Sequence, residues 1–94
     1  MHIHFYATLR QIVGGKTIEV PGAAGQTVQA LLDTLLTKYP ALRSQLYDAD
    51  GALYPHVHIF VNGRDARYLE QGLETLIAAE DTINIFPPVG GGAA

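Results

Sequence analysis

The chain has 94 residues, 48% of them hydrophobic and 16% charged, so it is expected to fold as one domain around a single modest core. It contains no cysteine, which removes a disulfide framework, a thiolate zinc site and a cysteine nucleophile from consideration. The net charge of −3, with Arg10, Lys16, Lys38, Arg43, Arg64 and Arg67 scattered along the sequence, argues against a nucleic-acid-binding face, and no run of about 18 apolar residues offers a membrane span.

Met1-His2-Ile3-His4 lacks the basic-then-apolar layout of a signal peptide, so a cytoplasmic protein is the expectation. Residues 2–9 alternate, with Ile3, Phe5, Ala7 and Leu9 on one face and His2, His4, Tyr6 and Thr8 on the other, which predicts a first strand. Gly14-Gly15 breaks the chain, and residues 16–20 resume the alternation until Pro21-Gly22. The two runs are expected to form a hairpin with a long loop. Thr27 is a natural N-cap for a helix in which Val28, Leu31, Leu32, Leu35 and Leu36 repeat at helical spacing as far as Pro40. Residues 41–47 read as a short second helix and 48–51 as a turn. Residues 56–61 alternate again, with Val57, Ile59 and Val61 inward and His56, His58 and Phe60 outward. Asn62-Gly63 turns the chain tightly, and 64–68 read as a short returning edge strand. Leu73, Leu76 and Ile77 suggest a helical turn. Ile83 and Ile85, alternating with Thr82 and Asn84, predict a last strand that Pro87 must stop, because proline cannot donate to a ladder.

This order is an α+β plan, with a helix on one side of a mixed sheet. Residues 1–86 form the predicted domain and 87–94 a tail. Pro87 and Pro88 stiffen its root in an extended conformation, Val89 follows, and Gly90, Gly91 and Gly92 make it slim enough for a narrow channel. From Pro87 to Gly92 such a thread reaches roughly 20 Å at ~3.3 Å per residue. Small residues near a terminus are often merely frayed, but a frayed end does not need the rigid apolar root Phe86-Pro87-Pro88-Val89.

The arrangement resembles the β-grasp, or ubiquitin-like, fold, in which the last strand lies centrally beside the first. Phe5-Tyr6-Ala7-Thr8-Leu9-Arg10, Val61-Asn62-Gly63 and the run from Asp81 through Phe86-Pro87-Pro88-Val89-Gly90-Gly91 resemble the MoaD/ThiS family of sulfur carriers. That family includes the small subunit of molybdopterin synthase, the thiamine sulfur carrier and the carrier of a thiocarboxylate-dependent cysteine route. The segment from Val57 to Leu76 is most similar to the last of these. The resemblance implies a substrate of enzymes rather than an enzyme, with no permanently bound cofactor. An E1-like adenylyltransferase would adenylate the terminal glycine, Gly92 or Gly91, using ATP and Mg, and a sulfur donor would convert it to a thiocarboxylate. An acceptor enzyme would then take the sulfur, such as a molybdopterin synthase large subunit or a PLP-dependent cysteine synthase. Here Gly92 is followed by Ala93 and Ala94, so the resemblance implies their removal before Ala93, by a JAMM-type metalloprotease in similar carriers. A ubiquitin-like protein modifier and a non-catalytic β-grasp interaction module are the alternatives.

If the last strand lies between the first strand and the strand over 56–61, Tyr6, Phe60 and Phe86 gather on the face that the helix leaves open. Contiguous exposed aromatics mark an interaction surface; Arg10, Arg64 and Arg67 read first as ordinary solvated surface and second as candidates for its polar rim. The pairs His2/His4 and His56/His58 each project from one face, but two strand spacings, roughly 10 Å, separate them. They are read as solvent-facing strand residues rather than as a metal site.

Overall fold

The computed structural model describes residues 1–88. Strands β1 (His2–Phe5), β2 (Thr17–Glu19), β3 (His58–Val61), β4 (Arg64–Asp65) and β5 (Ile83–Phe86) form one sheet in the order β2-β1-β5-β3-β4. β5 runs parallel to β1, with Ile3 opposite Ile83 and Phe5 opposite Ile85, and antiparallel to β3, with Ile59 opposite Ile85 and Val61 opposite Ile83. The last strand is therefore central, as the resemblance to the β-grasp fold implies. Alternation sends Ile3, Phe5, Ile59, Val61, Ile83 and Ile85 to one face, where all are buried.

Helix α2 (Val28–Lys38) adds Val28, Leu31, Leu32, Leu35 and Leu36 to the same core. Its start is fixed by the Thr27 hydroxyl, which accepts from the Ala30 amide at 3.0 Å. Its end is fixed by Pro40: the residue before a proline is pushed out of helical geometry, and Tyr39 sits at φ −129°, ψ 79°. A short helix α3 (Leu42–Leu46) buries Leu42 and Leu46.

Four expectations need correction. The first strand stops at Phe5 instead of continuing to Leu9. Ala7 takes φ 54°, the chain turns, and Leu9–Val13 form a helix, α1, that the alternation concealed. Leu9 and Val13, four residues apart, both reach the core from this turn, whereas Ala7, expected inward, is exposed. Secondly, the edge strand over 64–68 shortens to the two residues of β4. The Asp65 carboxylate accepts from the Arg67 amide at 3.0 Å and starts a 3-10 turn at Ala66–Tyr68 instead. Thirdly, the helical turn around Leu73, Leu76 and Ile77 is a 3-10 turn at Gly72–Glu74. Leu76 lies beyond it, 68% exposed and bridged to Thr27, while Ile77 is buried. The strand expected over 56–61 starts at His58, and His56 is exposed ahead of it.

Candidate functional site: an aromatic face at the root of the C-terminal segment

The outward positions of β5 are Asn84 and Phe86, and the neighbouring strands bring aromatic rings to both sides of them. Tyr6 stacks on Phe86 with ring centroids 4.0 Å apart and planes 8° from parallel. Phe60 meets Phe86 edge-on at 5.5 Å and 86°. The edge-on contact is the perpendicular geometry that the ring quadrupoles favour, and the Tyr6–Phe86 pair is a close, nearly parallel stack. The Tyr6 hydroxyl donates to Asn84 Oδ1 at 2.7 Å, which fixes the ring along the strand. Tyr6 can leave its own strand line because the chain turns at Ala7; the Leu9 and Arg10 amides donate to the Tyr6 and Ala7 carbonyls at 3.2 and 3.1 Å.

Arg10, on α1, closes one side. Its Nε donates to the Phe5 carbonyl at 2.8 Å, and its guanidinium lies 5.2 Å from the centre of the Tyr6 ring, within cation–π range. Opposite, the Asn62-Gly63 turn has the positive φ at both central residues, 54° and 82°, that a tight hairpin turn of this kind requires. Asn62 Nδ2 donates to Asp81 at 2.8 Å, and Asn62 Oδ1 accepts from the Thr82 amide at 2.9 Å, so the turn is tied to the entry of β5. Tyr6, Phe60, Gly63, Asn84 and Phe86 together line a shallow depression of about 330 Å³. The three rings remain half-buried, with part of each open to solvent.

A third side is formed by His58, across the sheet from Phe86 and 5.8 Å from Phe60. Its Nδ1 is 2.8 Å from Asp65 Oδ2, and the Asp65 side chain is only 10% exposed. The carboxylate orients the imidazole. The other histidines do not join it. His2 Nε2 contacts Glu19 at 2.9 Å, and His4 Nδ1 contacts the Thr17 hydroxyl at 3.0 Å. Among the described residues no group of three or more His, Asp or Glu side chains is placed to hold a metal ion. Glu19 is held below the usual carboxylate range by a hydrogen bond from the Met1 ammonium, with His2 adding to the effect.

Of the residues singled out in the sequence, Tyr6, Phe60, Phe86 and Arg10 therefore converge. Arg64 does not: it is exposed on β4 opposite Val61, and Asp65 is the residue that pairs with Phe60. Arg67 is neither a rim group nor plain solvated surface. It donates to the Pro55 carbonyl at 2.8 Å, to the Val57 carbonyl at 2.7 Å and to the Tyr54 carbonyl, gathering the loop that leads into β3. Pro87 is buried and Pro88 half-buried at the end of β5. Val89, Gly90, Gly91, Gly92, Ala93 and Ala94 lie outside the described residues.

Comparison with known proteins points in one direction. The ThiS family model matches residues 3–92. Small archaeal modifier protein 3 of Haloferax volcanii is 36% identical over 92 residues, which are 98% of this chain and 98% of that protein. The sulfur carrier protein CysO of Mycobacterium tuberculosis is 36% identical over 86 residues, 89% of each chain. The solution structure of small archaeal modifier protein 1 from Methanosarcina acetivorans superposes with a TM-score of 0.81 at 34% identity, covering 97% of this chain and 94% of that one.

Proposed function

The chain belongs to the ThiS family of small carriers with the ubiquitin-like β-grasp fold, and we propose that it carries sulfur as a thiocarboxylate on the glycine at position 92. It is a carrier and not a catalyst. The observation that supports this reading most is the continuity of β5. The strand that places Asn84 and Phe86 on the aromatic face runs without interruption into Pro87-Pro88 and the sequence Val89-Gly90-Gly91-Gly92. Six residues of sequence separate Phe86 on the face from Gly92.

In the proposed cycle an E1-like adenylyltransferase docks on this face and supplies ATP and magnesium. A carboxylate oxygen of Gly92 attacks the α-phosphorus, the bond to the bridging oxygen breaks, and pyrophosphate leaves. A sulfur donor then displaces AMP at the carbonyl carbon, and the resulting thiocarboxylate passes its sulfur to an acceptor enzyme of cofactor or cysteine biosynthesis. Glycine suits this position because a Cβ beside the reacting carbon would obstruct in-line approach inside a closed cleft. Gly92 is bonded to Ala93 in this sequence, so its carboxylate must first be freed by cleavage between them, a task for a JAMM-type metalloprotease.

The names of the Haloferax relatives favour a second reading, in which the same activated carbonyl is captured by a lysine amine and the chain modifies other proteins. Both readings share the adenylate. The test is ATP–pyrophosphate exchange by the activating enzyme with a form of the chain that terminates at Gly92. Gly92→Val is expected to abolish exchange without changing the melting temperature. Normal exchange by that variant would overturn the proposal.

A further inference from the structure

At Leu76 an exposed apolar side chain coincides with unpaired backbone. The residues on either side of it are paired inward: the Val28 amide donates to the Thr75 carbonyl at 3.0 Å, and the Ile77 amide donates to the Gln26 carbonyl at 2.8 Å. These two bonds flank the antiparallel bridge between Thr27 and Leu76. In that pattern the bridged residues face each other without bonding, and their own N–H and C=O groups point away from the partner stretch. Among the described residues neither the amide nor the carbonyl of Leu76 makes a hydrogen bond, and the residue is 68% exposed. Thr75 is extended at φ −62°, ψ 130°, so the stretch already has the form of an edge strand.

The charge around this edge has one sign. Glu74 and Glu80, both exposed, bracket Leu76 in sequence, and residues 68–94 contain Glu70, Glu74, Glu80 and Asp81 but no lysine or arginine. The facing stretch, Gly25-Gln26-Thr27-Val28, carries no charge that could neutralise them. Asp81 is engaged in the fold, where it accepts from the Ala78 amide and the Asn62 side chain at 2.8 Å each. Free strand edges are templates for pairing with another chain. Two copies of this edge meeting each other would bring like charges together, which opposes pairing, whereas a basic strand meets opposite charge on both sides of Leu76.

We infer that the Leu76 edge is a docking site for an extended, basic segment of a partner protein, taken up by strand addition. The Leu76 amide and carbonyl exchange two hydrogen bonds with one residue of the segment. The Leu76 side chain packs on an apolar side chain of that segment, and its lysines or arginines meet Glu74 and Glu80. The bridge partner Thr27 caps α2, whose apolar stripe belongs to the core on the sheet face opposite the aromatic rings. The site is independent of the carrier reading, since it uses neither the aromatic face nor the glycine segment, and a protein docked on that face leaves it open.

The experiment is a titration of the full chain, at low salt, with a capped pentapeptide of alternating lysine and valine, followed by amide chemical shifts. Saturable shifts are expected at residues 74–77 and in the paired stretch 25–28, with a Kd on the order of 1 mM. At saturation the Leu76 amide should exchange with water about tenfold more slowly. The same peptide methylated at every backbone nitrogen keeps its charges and loses its donors, and should bind about tenfold more weakly. A glutamate–valine counterpart should also bind about tenfold more weakly. Glu74→Gln combined with Glu80→Gln removes two exposed carboxylates and should weaken the lysine peptide by about threefold or more. Shifts that do not saturate or that fall elsewhere would overturn the inference, as would equal binding of the methylated or the glutamate peptide, or no loss in the double variant. Shifts at Leu76 that grow with protein concentration in the absence of peptide would also overturn it, by giving the edge to a second copy of the chain.

Discussion

The stack of Tyr6 on Phe86 holds the first strand's end against the central strand, and a double-mutant cycle measures it. Phe86→Leu keeps an apolar side chain but removes two ring contacts, one stacked at 4.0 Å and one edge-on at 5.5 Å. At about 1 kcal/mol per aromatic pair, it should cost about 2 kcal/mol. Tyr6→Leu loses the same stack, the hydrogen bond to Asn84 and the Arg10 contact, for a total of about 2–3 kcal/mol. Only the stack is shared, so the double variant should be less destabilised than the sum of the singles by about 1 kcal/mol. Urea denaturation followed by far-ultraviolet circular dichroism reads all four proteins, and each kcal/mol corresponds to roughly 4–8 °C in a parallel thermal scan of a domain this size. A coupling within about 0.3 kcal/mol of zero would mean that the rings are neighbours without mutual stabilisation, and the reasoning that joins the two strands through them would fail.

Arg67→Gln should destabilise by about 2–3 kcal/mol, because three carbonyls at Tyr54, Pro55 and Val57 lose a charged donor; a urea midpoint equal to the parent's would contradict the clamp. Ala7→Gly should raise stability by about 0.5–1 kcal/mol, since Ala7 holds φ 54°, where a Cβ is strained and glycine is not; a melting temperature below the parent's would contradict it. Glu19 has a folded-state pKa below its unfolded value, so it contributes stability that is present above the unfolded pKa and lost as pH falls through the folded one. Glu19→Gln should therefore flatten the acid limb of stability measured against pH while leaving Lys16 and other β2 neighbours in place, and an unchanged acid limb would refute that link.

The parts of the molecule visible in the sequence are those with a regular period. Ile83 and Ile85 alternate with Asn84 and Phe86, and once β5 is placed beside β1 and β3 the meeting of Tyr6, Phe60 and Phe86 follows from side-chain parity alone. Helix α2 is equally plain, with five apolar residues on one stripe and Thr27 at its cap. Helix α1 is not, because its two core anchors, Leu9 and Val13, sit in a five-residue turn, and Leu9 also fits the alternation of the preceding strand. The break is made by the backbone of Ala7, and an alanine gives no sign that it will adopt a left-handed φ. Arg67 reads in the sequence as one more scattered charge. Its role depends on carbonyls ten to thirteen residues earlier, which only the folded loop brings within reach. Leu76 shows the converse: its spacing with Leu73 and Ile77 suggests a helical turn, yet it lies in an extended stretch bridged to Thr27 and is exposed, while Ile77 beside it is buried.

The measurement that tests the central claim most directly is the intact mass of the untagged protein isolated from cells that need sulfur transfer. The carrier account predicts a species ending at Gly92 with one oxygen replaced by sulfur, lost on hydrolysis and absent from Gly92→Val. A population consisting only of forms that extend beyond Gly92, with no sulfur added under those conditions, would contradict it and leave the aromatic face as a docking surface with no cargo behind it.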